Sequence, residues 1–75
     1  MPRMPRVTAS ELEAALRRDG WHEVRQRGSH RHYAHPEKRG IVTVPFHSGE
    51  QIGPELLKRI LRQAGLTPDN LPALL

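Results

Sequence analysis

The stretch RGSHRHYAHP, residues Arg27 to Pro36, holds three of the five histidines of the chain, at positions 30, 32 and 35. Imidazole titrates near ~6.5, so at neutral pH it can accept and donate protons, and its neutral form ligates metals. Two chemistries compete. Zinc takes three or four ligands in tetrahedral reach. On a strand, side chains alternate faces, so His30 and His32 share a face while His35 points the other way. A metal site built on this strand would need help from His47. No aspartate is nearby and the chain has no cysteine. The pattern therefore argues against a native metal site, and no cofactor motif is present.

The second chemistry is proton transfer on RNA, which carries its own nucleophile in the 2′-OH. A base that removes its proton, beside cations that stabilise the charged phosphorane, suffices to begin cleavage. His30 follows Gly28-Ser29 at a turn, where its ring can project from the strand end. Arg25, Arg27 and Arg31 are close in sequence and can hold phosphate. A second group should protonate the leaving 5′-oxygen: His32 is one candidate, His47 another. Against both chemistries stands the plain reading of solvated strand histidines.

The bulk numbers fit a nucleic-acid partner without requiring one. Seventy-five residues make one domain, 1–75, burying only roughly 60–65% of its unfolded surface. Twelve Lys and Arg face eight Asp and Glu, and arginine, which forks onto phosphate, dominates. The absence of cysteine fits an intracellular, cytoplasmic protein. The start, MPRMPRVTAS, lacks the apolar core of a secretory signal, and no apolar run is long enough to span a bilayer.

The elements that must position these residues are well marked. Thr8-Ala-Ser-Glu11 reads as a capping box that opens a first helix, with Val7 and Leu12 as a hydrophobic staple. Leu12, Ala15 and Leu16 form its apolar stripe; Glu11 and Glu13 lie early and Arg17 and Arg18 late, as the helix dipole favours. Gly20 and Trp21 read as a Schellman close, with Trp21 a core residue. The period then changes to two. His22–Arg27 is a weak strand whose only aliphatic is Val24. Gly28-Ser29 is a tight turn, with Gly28 a backbone requirement. His30–His35 is a second strand, Pro36–Gly40 a turn, and Ile41–Phe46 a third strand rich in β-branched residues. Tyr33, of opposite parity to His30, should face the helices. His22 and His35 read as surface residues.

After a loop at His47–Gly53, Pro54 opens a second helix. Leu56, Leu57, Ile60, Leu61 and Ala64 span about 140° of its wheel. Glu55, Lys58, Arg59 and Arg62 fill the other side, ordinarily a solvated face. Gly65 and Leu66 repeat the Schellman close. A last short turn at Thr67-Pro68 brings Leu71, Leu74 and Leu75 near the core. Glu50 and Glu55 have no carboxylate partner close enough in sequence for a paired-acid site. The order is an α+β fold, α-β-β-β-α, with a three-stranded antiparallel sheet and two helices on one face. It resembles double-stranded-RNA-binding domains, which read shape, 2′-OH and phosphate. In such a fold the face of Lys58, Arg59 and Arg62 can meet phosphates, with Lys58 and Arg62 four apart on it.

Three motifs carry a closer resemblance. Gly28-Ser29-His30-x-x-Tyr33, then Val42-Thr-Val-Pro45-x-His47, then Ile60-Leu-Arg-Gln-Ala-Gly-Leu66 resemble the HicA-type toxins, small messenger-RNA-cleaving members of bacterial and archaeal toxin–antitoxin pairs. The likeness runs from about Leu12 to Leu66. It implies a dsRBD-like fold, metal-independent endoribonuclease activity and inhibition by a HicB-type antitoxin. The family's essential histidine maps onto His30 by motif spacing. No second catalytic residue carries over. Gly53-Pro-Glu-Leu56 departs from the more usual Gly-Thr-Leu, at a helix start where proline is tolerated. Two rivals remain: a non-catalytic double-stranded-RNA-binding module of the same fold, and a metal-binding accessory protein.

Overall fold

A computed structural model describes residues 6–47 and 49–75. Residues 1–5, part of the start read as no signal, and Ser48 of the loop before the second long helix lie outside the described residues. Helix α1 runs Ala9–Asp19 behind the expected capping box. The Thr8 amide donates to Glu11 Oε1 at 2.9 Å and the Glu11 amide to Thr8 Oγ1 at 3.2 Å, satisfying two of the four amides a helix start leaves free. Gly20 takes the left-handed conformation, φ 109°, and the Trp21 amide donates to Leu16 O at 2.9 Å, a Schellman close.

Strands β1 (His22–Arg27), β2 (His30–Ala34) and β3 (Val42–Pro45) form one antiparallel sheet in that order. Gly28-Ser29 joins β1 to β2 with Gly28 at φ 59° and Ser29 at negative φ. That is a type II′ geometry, whose twist matches the flanking strands. The third strand is shorter than expected, although the Phe46 amide still reaches Ser29 O at 2.7 Å. Tyr33, Val42 and Val44 point to one face and are fully buried with Leu12, Leu16, Trp21, Leu57, Ile60 and Leu61. The helices therefore cover one face of the sheet, mainly behind β2 and β3, and β1 is exposed along its whole length.

Helix α2 (Pro54–Gln63) starts at Pro54 and closes through Gly65, with the Leu66 amide on Leu61 O at 2.8 Å. Its apolar arc is buried except Leu56, which stays half-exposed. The tail forms a 3-10 turn, Pro68–Asn70, and a short helix α3, Leu71–Leu74. Leu71 is fully buried and Leu74 packs on the core, but Leu75 is 47% exposed and does not cover it. The Arg18 guanidinium donates to Leu74 O at 2.6 Å, fastening the tail to α1.

One connection differs from its expected role. His35 is half-buried rather than a surface residue. The Glu37 amide donates to His35 Nδ1 at 3.0 Å, which leaves the proton on Nε2 to donate to Asp19 O at 2.7 Å. The ring meets Trp21 edge-on, with centroids 5.2 Å apart. Lys38 Nζ reaches Asp19 Oδ2 at 2.6 Å and Ala64 O at 2.9 Å. The turn after β2 thus ties down the C-terminal ends of both long helices, where cations and donors suit free carbonyls. A side chain at Gly20 would meet the imidazole, since an ideal Cβ there lies 2.6 Å from His35 Nε2.

Candidate functional site

The site begins with an irregularity in β1. His22 pairs with Ala34 and Glu23 with Tyr33, but the next pair is Arg25 with His32, so one residue is extra. In an unbulged ladder Arg25 would stand opposite Arg31, on the covered face. The bulge shifts the register by one and turns Arg25 and Arg27 onto the uncovered face, because one step of slip exchanges the faces of a strand. Val24, the bulged aliphatic, is 52% exposed.

Two cross-strand rows result. Arg27, His30 and Pro45 stand side by side, as do Arg25, His32 and Thr43. Arg25, Arg27, His30, His32 and Thr43 line a shallow hollow of about 340 Å³ on the uncovered face. His32 Nδ1 shares a 2.9 Å hydrogen bond with Thr43 Oγ1, which fixes the ring and leaves Nε2 for a ligand. His30, Arg25 and Arg27 are exposed. Two imidazoles and two guanidiniums on one open surface can transfer protons to and from a substrate whose negative charge the arginines hold.

His30 also borders a second hollow, between the edge of β3 and α2, lined by His30, Thr43, Pro45, Leu56, Arg59, Ile60 and Gln63. Of the three cations on the α2 face that the sequence offers for phosphate, Arg59 is the one that borders a hollow with His30. Lys58 and Arg62 are exposed on the same helix and line neither hollow. His47 borders a different depression, with Ala9, Glu50 and Leu56 among its neighbours, away from His32.

Arg31 does not join the other two β1–β2 arginines. It lies on the covered face, where Nη1 contacts Glu13 Oε1 at 2.9 Å and the guanidinium stacks 3.9 Å above the Phe46 ring. Glu13 is 1% exposed, and its other oxygen accepts the Tyr33 hydroxyl at 2.6 Å. A buried carboxylate is costly unless paired and hydrogen-bonded, and here it is both. Burial, then the Glu13 hydrogen bond and charge, push the Tyr33 phenol well above its ordinary range. Sequence reasoning passed over Glu13, because an acid early in a helix is already explained by the dipole.

Among the described residues no three His, Asp or Glu side chains gather as a metal site, and no helix is long and apolar enough to cross a membrane. A family model described as "HicA toxin of bacterial toxin-antitoxin" matches residues 9–66. No curated protein matches the chain.

Proposed function

The chain belongs to the HicA toxin family of bacterial toxin–antitoxin systems, a toxin with an antitoxin partner, and on that premise we propose that it is a metal-independent endoribonuclease that cleaves messenger RNA in the cytoplasm. The observation that carries this reading is the shared hollow of His30, His32, Arg25 and Arg27 on the uncovered face. His30 takes the 2′-OH proton as the 2′-oxygen attacks phosphorus. Arg25 and Arg27 stabilise the phosphorane. His32, oriented by Thr43, gives a proton to the departing 5′-oxygen. We favour His32 over His47 for that step because only His32 shares the hollow with His30. The products carry a 2′,3′-cyclic phosphate and a 5′-hydroxyl, and no water or metal enters the first step.

Phosphate binding falls to Arg25 and Arg27, the cations that line the hollow shared by His30 and His32, while Arg59 stands by the second hollow. Arg31 holds Glu13 and acts on the site only through the packing of β2. Lys58 and Arg62 serve as a solvated flank of α2. A HicB-like antitoxin silences the site by laying an acidic surface over His30, which matches the charge and blocks substrate together.

The test is incubation of the purified protein with messenger RNA in EDTA, with the ends of the products analysed. Cyclic-phosphate ends in EDTA are expected, and a 2′-deoxy substitution at the scissile nucleotide should block the cut. Activity lost in EDTA and restored by zinc overturns the metal-free scheme. RNA that is bound but never cut replaces the enzyme with a non-catalytic RNA-binding module.

A further inference from the structure

The hollow between β3 and α2 is lined by the apolar side chains of Pro45, Leu56 and Ile60 together with His30, Thr43, Arg59 and Gln63. Its volume, about 220 Å³, is below the ~300–1,000 Å³ typical of sites for drug-sized ligands, a size suited to one heterocycle. Resting on the ribonuclease reading, we propose that this hollow is a nucleobase subsite that takes one unstacked purine beside the scissile phosphate.

Four features point to that occupant. The apolar side chains of Pro45, Leu56 and Ile60 suit the face of a base. Arg59 and Gln63 are both exposed and one helical turn apart, so they project to the same flank of α2. Arginine pairs in bidentate fashion with guanine O6 and N7, and glutamine with adenine N6 and N7. Both pairings use the N7 edge, which pyrimidines lack. Finally, His30 borders both hollows, so a base seated by α2 would leave its phosphate near His30 and the Arg25–Arg27 surface. A base in this hollow must be out of any duplex, as in sequence-specific recognition of single-stranded RNA generally. The subsite therefore makes single-stranded RNA the substrate, despite a fold like those that grip duplexes.

The experiment uses short single-stranded RNAs that are 2′-O-methylated at every ribose but one, so that only one position can be cut. The bases on either side of that ribose are varied one at a time, and cleavage rates are compared. The full-length protein should prefer a purine at one of these positions by on the order of tenfold or more. Gln63→Ala and Arg59→Ala, each on an exposed helical position where alanine is well tolerated, should bring the purine-to-pyrimidine ratio towards one. A wild-type ratio near one, or a preference unchanged in both variants while RNA is still cut, overturns the subsite and leaves the ribonuclease intact. Failure of the protein to cut any RNA overturns the ribonuclease reading, and the subsite with it.

Discussion

Arg27 and His30 stand opposite each other across the two-residue turn that joins β1 to β2, both on the face of the sheet that the helices leave open. The pairing places a cation beside the imidazole proposed to transfer protons, with only a two-residue turn between them. It rests on two backbone devices, the Gly28 turn and the bulge at Val24.

His30→Ala should abolish RNA cleavage and toxicity while the protein still folds and binds RNA. General acid–base catalysis supplies ~10²–10⁴-fold in rate, and an exposed side chain costs little stability when truncated, within about 0.5 kcal/mol. His35→Ala should behave in the opposite way. It loses its hydrogen bonds to Asp19 O and Glu37 N and its contact with Trp21, and should lose about 1–3 kcal/mol of stability. Its folded fraction should cut normally. Paired urea melts and cleavage assays check both, and a His30→Ala variant that cuts at native rate would end the catalytic assignment.

Parity along β2 was legible in the sequence, because a strand has period two whatever surrounds it. His30 and His32 were expected together and Tyr33 opposite, and the structure places them so. Arg31 has the parity of Tyr33, yet closeness in sequence grouped it with Arg25 and Arg27 as a residue expected to hold phosphate. Alternation was the better guide. The bulge that delivers Arg25 and Arg27 was not legible, since an extra residue leaves no mark in a strand with one aliphatic. The clasp made by His35 and Lys38 was hidden because its partners Asp19 and Ala64 lie 16 to 26 positions away. Both Schellman closes depend on neighbours a few residues apart and could be read directly.

Glu13→Ala should be the most damaging change on the exposed-looking half of α1. It strands Arg31 and the Tyr33 hydroxyl beneath the helix, and breaking a buried ion pair from one side costs about 3–5 kcal/mol. For a domain of this size that is a large fraction of a typical total. Glu13→Gln keeps the shape and one acceptor, and should recover part of the loss. Chemical denaturation of the two variants orders them, and equal stability of Glu13→Ala and wild type would remove the network from the account of folding.

Stability should fall as pH rises past about 10. The folded-state Tyr33 phenol is raised above its unfolded value by burial and by Glu13. The unfolded chain therefore loses this proton first, which favours unfolding; below about pH 10 both states keep it and its contribution is full. Tyr33 is the only tyrosine, so tyrosinate absorbance should appear together with loss of helical signal rather than before it. Tyr33→Phe should be less stable at neutral pH, by about 1.5–3 kcal/mol for a hydrogen bond to a charged acceptor, and its stability should vary less above pH 10. Ionisation of Tyr33 in the intact fold near pH 10 would contradict this.

The salt dependence of RNA binding separates the cations that border the site from those that do not. Each phosphate neutralised on a single strand contributes about 0.7 to the slope of log K against log salt. Arg25 and Arg27 line the hollow with His30, so replacing both with alanine should flatten the slope by about 1.4. Affinity should weaken uniformly across sequences, since phosphate contacts carry no base information. Lys58 and Arg62 are exposed but line neither hollow, so their double alanine variant should keep the native slope. Measurements are best made in the His30→Ala background, where substrate survives. A flatter slope for Lys58 and Arg62 with no change for Arg25 and Arg27 would move the RNA track from the sheet to the outer flank of α2.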